Sequence, residues 1–209
     1  MWRVVIFLTI NIYSFCQTKD IQNIDNIIEI NDQLYELKEG DIFFQDLDSS
    51  PLCDAIEKVT KGINNKDLSH VGICIIENSH FYILEAFTHG VKMVKIEEFL
   101  KRSVNSDGNP KIIIGRLKPE YKNLIQPAIK KGKKLIGKEY DELFIIGNDK
   151  YYCSELIYEM FLTSEGGLFE LKPMTFVDPE SKEFLKIWLD YFEKLSYNIP
   201  EGMPGLNPG

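Results

Sequence analysis

The pattern of apolar and polar positions predicts helices on either side of a central group of strands. Isoleucines at helical spacing in the polar segment 19–36 predict an amphipathic leader helix. A short apolar run at 42–44 predicts a strand, and 53–59 predicts a second helix. Residues 69–76 and 81–86 are rich in Val, Ile and aromatic residues, and the turn-forming segment between them is typical of a β-hairpin.

The second half of the chain continues this alternation and ends in a Pro- and Gly-rich tail that we expect to be irregular. Pro127 must lie in the first turn of its predicted helix or kink it. The remaining predicted elements are strands over 91–95 and 111–117 and helices over 96–101, 122–136, 153–162 and 181–195. Helices that flank strands joined by short turns indicate an α+β domain with a mostly antiparallel sheet.

The first sixteen residues have the features of a signal peptide. One Arg precedes a short apolar run, and the small residues Ser14 and Cys16 suit cleavage after Cys16. The run is shorter than the ~20 apolar residues that span a bilayer. A buried N-terminal strand is the alternative, and an acylated Cys16 is disfavoured by bulky Tyr13 and Phe15. We therefore expect an exported, periplasmic or extracellular protein whose single domain covers residues 17–209.

The charge balance argues against nucleic acid as a partner. The chain has 32 acidic and 24 basic residues, a net charge of −8, whereas nucleic-acid binding relies on Lys and Arg to neutralise phosphates. The basic run at 130–134 is the counter-indication, and a solvated helix face explains it. No other segment is long and apolar enough to span a membrane.

Three thiols would remain after cleavage, and Cys153 among them is the candidate nucleophile. Three cysteines cannot all pair, so at least one thiol is free. Cys153 begins a predicted helix, where the positive end of the helix dipole favours thiolate and backbone N–H groups face a developing oxyanion. The alternative role for Cys153 is that of a small buried apolar residue. No pair of cysteines has the spacing of a zinc site.

His70 and Glu85 complete the candidate set. His70 begins a predicted strand and is followed by Gly72, which permits close approach of a backbone or ligand. Glu85 is an acid within an apolar strand, where an unpaired carboxylate is costly and a specific partner is expected. If the two strands form a hairpin, Glu85 can lie beside His70 and orient its ring. A surface histidine and an outward-pointing glutamate are the alternatives.

Five short segments then carry a resemblance to a known family. They are Gly-Asp-Ile-Phe at 40–43, Leu-Ser-His-Val-Gly-Ile at 68–73, Leu-Glu-Ala at 84–86, Gly-Lys-Glu-Tyr-Asp at 137–141 and Tyr-Tyr-Cys-Ser-Glu-Leu at 151–156. In this order they resemble the circularly permuted, NlpC-type papain-like hydrolases, in particular the YiiX family, over about residues 35–162. In ordinary papain-like enzymes the Cys precedes the His, and here the order is reversed.

The resemblance implies a permuted papain-like fold and a cysteine peptidase or amidase that needs no metal or organic cofactor. It implies Cys153 as nucleophile, His70 as base and Glu85 as the orienting acid. It also implies that residues within or beside the matching segments contact the substrate. These residues are Asp41, Ser69, Tyr140, Tyr152 and Ser154.

The substrate stays open between two classes. Export suggests amide bonds of cell-wall peptides, whereas permuted relatives that act on acyl lipids suggest a lipid amidase, esterase or acyltransferase. A binding module that holds a cell-wall fragment or a lipid without turnover is a third possibility. Oligomeric state does not follow from the sequence.

Overall fold

The computed structural model describes residues 5–6, 27–30 and 33–209. The helices are α1 (Pro51–Val59), α2 (Ile96–Leu100), α3 (Ile125–Leu135), α4 (Cys153–Met160) and α5 (Lys186–Lys194), with 3₁₀ turns at Ile63–Asn65 and Pro119–Leu124. The strands are β1 (Val5–Ile6), β2 (Ile27–Ile30), β3 (Gln33–Glu36), β4 (Ile42–Gln45), β5 (His70–Glu77), β6 (His80–Phe87), β7 (Gly90–Lys95), β8 (Ile112–Leu117), β9 (Leu162–Thr163), β10 (Gly166–Gly167), β11 (Lys172–Pro173) and β12 (Pro204–Gly205). The prediction of an α+β domain is confirmed.

The main sheet is antiparallel, with strand order β1-β8-β4-β5-β6-β7. The predicted hairpin is present as β5 and β6, and its turn residues Asn78 and Ser79 both adopt positive φ. Ile73 pairs with Leu84, so Gly72 and Glu85 lie side by side. A side chain at position 72 would collide with Ile83, which explains why glycine suits this strand position.

Each face of the sheet is covered by a different apolar cluster. On one face, α3 and α4 pack on inward residues of β5 and β6 such as Ile73 and Leu84. On the opposite face, Phe43 and Ile83 pack with Phe99 of α2. Since alternate residues of a strand point to opposite faces, the apolar runs of β5 and β6 serve both clusters.

A third cluster joins the C-terminal part of the chain to the start of α4. Trp188 and Phe192 of α5 pack with Phe176 and Phe144, and the ring centroids of Phe176 and Trp188 lie 4.9 Å apart at nearly a right angle. Tyr152, directly before α4, belongs to the same cluster. Its hydroxyl accepts a hydrogen bond from the N–H of Leu206 at 3.1 Å, which fixes the tail against this end of α4.

Three predicted elements differ from the structure. The leader helix is wrong over 27–36, where β2 and β3 form an antiparallel pair, since β-branched isoleucines also suit strands. The last helix begins at Lys186 rather than Ser181. The tail is not wholly irregular, because Pro204 and Gly205 pair with β11. Residues 19–26 of the leader helix lie outside the described residues.

The predicted signal peptide also lies outside the described residues, apart from Val5 and Ile6, which pair with the end of β8. Export stays a prediction that N-terminal sequencing of the exported protein would test. Within the described ranges, no helix combines the length and apolar character needed to cross a membrane. The basic run lies on α3, where Lys131 pairs with Glu159 and Lys133 with Glu77.

A buried ion pair connects the residue before β4 to β8. Asp41 is fully buried, and its carboxylate accepts hydrogen bonds from Nε and Nη2 of Arg116 at 2.6 and 2.7 Å. The N–H of Lys38 donates to the same carboxylate at 2.8 Å. A buried carboxylate needs such partners because desolvation otherwise disfavours its charge.

We expect Arg116→Ala to lower the free energy of unfolding by about 3 kcal/mol, because it leaves Asp41 buried without its counter-charge. Urea denaturation would measure the change. The matched control is Lys186→Ala, which removes the exposed pair with Asp190 and should cost less than about 0.5 kcal/mol. Equal losses in the two variants would contradict a structural role for the Asp41–Arg116 pair.

Candidate active site

Cys153 is the first residue of α4 and lies in the core that α4 shares with the sheet. It is 6% exposed. Tyr152 before it is extended, with φ −85° and ψ 171°, so the helix begins sharply at the thiol. The first N–H groups of a helix have no partner within the helix, and the dipole makes this end positive. The start of α4 therefore suits a negatively charged sulfur or oxygen.

His70 is the first residue of β5 and is 2% exposed. The Cys153 side chain lies beside one side of its ring and is one of the groups that raise the pKa of His70. On the other side, Nε2 lies 2.7 Å from Oε2 of Glu85, so Nδ1 is the nitrogen left for the sulfur. The ring is also held by Phe87, whose centroid is 5.0 Å away. The contact expected between His70 and Glu85 is thus present.

Glu85 is fully buried and has a second partner that the sequence analysis missed. Nη1 and Nη2 of Arg102 donate to Oε2 and Oε1 of Glu85, each at 2.6 Å. The guanidinium lies 4.7 Å from the ring centroid of Phe87 and 5.5 Å from that of Phe99. Such a two-pronged, aromatic-flanked contact fixes both the position and the charge of the carboxylate.

These contacts decide the protonation states of the pair. Burial alone would lower the pKa of His70, but the hydrogen bonds with Cys153 and Glu85 outweigh it and raise the pKa to about 9. Burial alone would raise the pKa of Glu85, but the hydrogen bonds from His70 and Arg102 lower it to about 2. At neutral pH the site therefore holds an imidazolium next to a carboxylate.

Two of the predicted substrate-contacting residues, Asp41 and Ser69, have structural partners. Asp41 is fully buried, and Arg116 occupies both of its carboxylate oxygens, so the contacts that the structure shows for it are structural, and its contact with substrate stays a prediction. The hydroxyl of Ser69 accepts a hydrogen bond from the N–H of Leu47 at 2.9 Å. It ties the loop between β4 and α1 to the residue before His70.

The other three residues predicted to contact substrate, Tyr140, Tyr152 and Ser154, lie around the start of α4. Tyr152 is 3% exposed and packs in the C-terminal cluster. The hydroxyl of Ser154 lies 3.9 Å from Sγ of Cys153. Tyr140 is half-buried, and its pKa lies well above its ordinary value because of burial and the nearby charge of Cys153. The hydroxyl of Tyr140 therefore stays protonated and able to donate a hydrogen bond.

The loop that leads into α4 is fixed by two acids. The carboxylate of Asp141 accepts the N–H groups of Leu143 and Ile145 at 3.0 and 2.6 Å. Glu155 accepts the N–H of Gly147 at 3.0 Å, and burial raises its pKa to about 7. Side chains that bind loop N–H groups in this way hold the approach to Cys153 in one conformation.

The described cysteines Cys53, Cys74 and Cys153 are all free and buried. Burial raises the pKa of Cys74 to about 12, with a further contribution from the charge of Asp41. In the ranges that the structure covers, no three His, Cys, Asp or Glu side chains are grouped so that they could share a metal ion.

A thiol at a helix start, facing a strand-borne imidazole with an acid behind it, is the arrangement of papain-like cysteine hydrolases. The helix that carries the thiol follows the strands in the chain, which is the permuted order. The chain belongs to the family of permuted papain-like amidases, YaeF/YiiX, C92, which matches residues 36–208. It is accordingly a cysteine peptidase or amidase.

Two proteins from Escherichia coli are similar to this chain. The uncharacterised protein YiiX of strain K12 is 27% identical over 165 residues, which cover 77% of this chain and 74% of the relative. The crystal structure titled metalloprotein yiiX, DUF1105, from O157:H7 has a TM-score of 0.66 at 24% identity. The match covers 83% of this chain and 91% of that one, and at this identity it shows a shared fold.

Loss of Arg102 should raise the pH below which Cys153 loses its reactivity. In Arg102→Gln, the carboxylate of Glu85 loses a partner that lowers its pKa, so that pKa rises from about 2 toward or above its ordinary value. On acidification, the His70–Glu85 ion pair is then lost at a higher pH than in wild type. We measure the rate of Cys153 alkylation from neutral to acidic pH by mass spectrometry. On acidification, this rate should begin to fall at a pH at least one unit higher in Arg102→Gln than in wild type.

The matched control is Lys101→Gln, which removes the adjacent exposed cation and should leave the profile in place. Arg102→Lys keeps the charge without the two-pronged contact and should give an intermediate shift. Superimposable profiles for wild type and Arg102→Gln would rule out control of Glu85 by Arg102.

Proposed function

We propose that the protein hydrolyses amide bonds through a thioester, with Cys153 as nucleophile, His70 as proton donor and acceptor, and Glu85 as the acid that orients His70. The observation that carries this proposal is the continuous contact from the thiol through the imidazole to a buried carboxylate. Papain-like catalysis requires these three groups in this order.

In the first half of the reaction, the Cys153 thiolate attacks the carbonyl carbon and forms a C–S bond. The imidazolium of His70 gives its proton to the nitrogen as the C–N bond breaks, and the amine leaves. The backbone N–H of Cys153, assisted by the hydroxyl of Tyr140, stabilises the oxyanion. In the second half, neutral His70 takes a proton from water, and hydroxide attack releases the carboxylic acid and the thiolate.

Two substrate classes are compatible with this chemistry. The same three groups would cleave an amide in a cell-wall peptide or an amide or ester that carries a lipid acyl chain. Incubation with a stem peptide and with a long-chain acyl amide, followed by mass spectrometry, separates the two. Turnover that persists in Cys153→Ala would exclude Cys153 as the nucleophile.

We expect iodoacetamide to label Cys153 faster than the other described cysteines at pH 7. An adjacent imidazolium favours the thiolate by about tenfold or more, so His70→Gln should slow labelling of Cys153 by about that factor. Cys74, whose pKa is raised to about 12, is the internal control and should stay unlabelled in both proteins. Equal labelling rates in the two proteins would favour a binding module over an enzyme.

The raised pKa of His70 predicts that the fall of kcat/KM on the alkaline side of the pH profile occurs at an unusually high pH. Acylation needs protonated His70, so kcat/KM should stay high below about pH 9 and fall about tenfold per pH unit above it. The same proton also stabilises the fold below pH 6.5, and this contribution disappears as pH rises through about 9. A fall in kcat/KM that begins near pH 6.5 would contradict the contact between His70 and Glu85.

A further inference from the structure

The two partners that hold the carboxylate of Glu85 come from different elements. His70 begins β5, and Arg102 lies two residues after the end of α2. With five residues, α2 is too short to be a stable helix on its own in water, so contacts with the rest of the fold must hold it. The position of Arg102 relative to His70 therefore depends on a connection between α2 and the start of β5.

Gln45, the last residue of β4, provides this connection. It is fully buried and lies opposite His70 in the β4–β5 ladder. Opposite residues of an antiparallel pair point to the same face of the sheet, so the side chain of Gln45 lies on the face that α2 covers. There, Nε2 donates a hydrogen bond of 2.9 Å to the carbonyl of Phe99 in α2. The carbonyl of Gln45 accepts the N–H of Ser69, the residue before His70, at 3.0 Å.

The carbonyl of Phe99 is a point to which both His70 and Arg102 are related. It is one of the carbonyl groups that the end of a helix leaves without a partner in the helix. The N–H of Arg102 also donates to it, at 3.3 Å. The ring centroid of Phe99 lies 5.8 Å from that of His70 and 5.5 Å from the guanidinium carbon of Arg102. The Gln45 amide thus holds the residue that packs beside both partners of Glu85.

The chain after Arg102 is connected to the same end of β4. The N–H of Asp46 donates to the carbonyl of Lys111 at 3.1 Å. The N–H of Lys111 in turn donates to the carbonyl of Ser103, the residue after Arg102, also at 3.1 Å. Arg102 therefore lies between two anchored carbonyls, and the end of β4 at Gln45 and Asp46 supplies both anchors.

One half of the Gln45 amide has no partner. Because the Phe99 carbonyl can only accept, the amide nitrogen must face it, and Oε1 is buried without a hydrogen bond among the described residues. A buried acceptor without a donor is destabilising, and an apolar side chain at this position would avoid that loss. The presence of a glutamine is explained if its N–H group is needed at the Phe99 carbonyl.

We propose that Gln45 is a positioning residue of the active site, which fixes the location of Arg102 and thereby keeps Glu85 ionised beside His70. This assignment rests on the proposed function, in which Glu85 orients His70. Gln45 acts through Phe99 and Arg102 rather than on the reacting atoms.

Gln45→Met keeps the length of the side chain and removes the donor. Arg102 then loses its fixed location, and the pKa of Glu85 rises. On acidification, the rate of Cys153 alkylation should begin to fall at a pH about half a unit or more above that of wild type. The double variant Gln45→Met/Arg102→Gln should show the same profile as Arg102→Gln alone, because both substitutions act through one ion pair.

The matched control is Ser103→Ala. Ser103 is buried next to Arg102, and its hydroxyl has no hydrogen-bond partner within the described part of the chain, so the profile should coincide with that of wild type. Gln45→Glu should restore the wild-type profile on the acid side, because a buried carboxyl is protonated there and its O–H can donate to the Phe99 carbonyl. Coincident profiles for wild type and Gln45→Met, or shifts of Gln45→Met and Arg102→Gln that add fully, would overturn the role of Gln45.

An NMR titration separates this role from the amidase proposal. The carboxyl carbon of Glu85, identified by its absence in Glu85→Gln, reports ionisation without a substrate, and its midpoint should rise in Gln45→Met. If Gln45→Met does not fold, the side-chain amide nitrogen of Gln45 in wild type is observed instead. Its resonance should follow the Glu85 titration, and a constant resonance would overturn the proposal.

The two proposals fail in different ways. A raised Glu85 midpoint in Gln45→Met, in a protein that cleaves no amide, would retain the control of Glu85 by Gln45 and overturn the amidase. Amide turnover that Cys153→Ala abolishes, together with an unchanged Glu85 midpoint in Gln45→Met, would retain the amidase and overturn the role of Gln45.

Discussion

The carboxylate of Glu85 is the group on which the rest of the site depends. It is fully buried within a strand, where an unpaired charge is expensive enough that the group would be neutral. Arg102 on one side and His70 on the other provide the counter-charges. Because a one-residue slip of β6 would turn Glu85 to the opposite face of the sheet, the same contacts also fix the register of the β5–β6 hairpin.

The site forms where the two faces of the sheet meet at the end of β5. His70, Glu85 and the aromatic residues beside them belong to the face covered by α2, whereas Cys153 reaches the site from α4 on the other face. Neither layer alone contains the three groups. The relative position of α2 and α4 on the sheet therefore decides whether the thiol contacts the imidazole. Because the two apolar clusters hold these helices on the sheet, both clusters are needed to assemble the site.

Local patterns predicted the parts of this arrangement that are close in sequence. The β5–β6 hairpin, the helix that begins at Cys153 and the pairing of Glu85 with His70 all follow from strand alternation, turn residues and the cost of a buried acid. Arg102 lies beyond β7 and α2 and belongs to no motif, so only the folded chain brings it to Glu85. The ion pair of Asp41 was not predicted for the same reason, since its partner Arg116 is distant in the chain. The leader segment was mispredicted for a different reason. Its local pattern is ambiguous, because isoleucines at 27, 28 and 30 fit helix and strand alike.

Burial of the site strengthens the interactions on which its chemistry depends. The imidazolium–carboxylate pair is strong because water is excluded, and a substrate that carried water into the site would weaken it. The C-terminal tail helps to keep this region closed, since the N–H of Leu206 donates to the hydroxyl of Tyr152, the residue before the nucleophile. Activation of the thiol therefore depends on the exclusion of water from the start of α4.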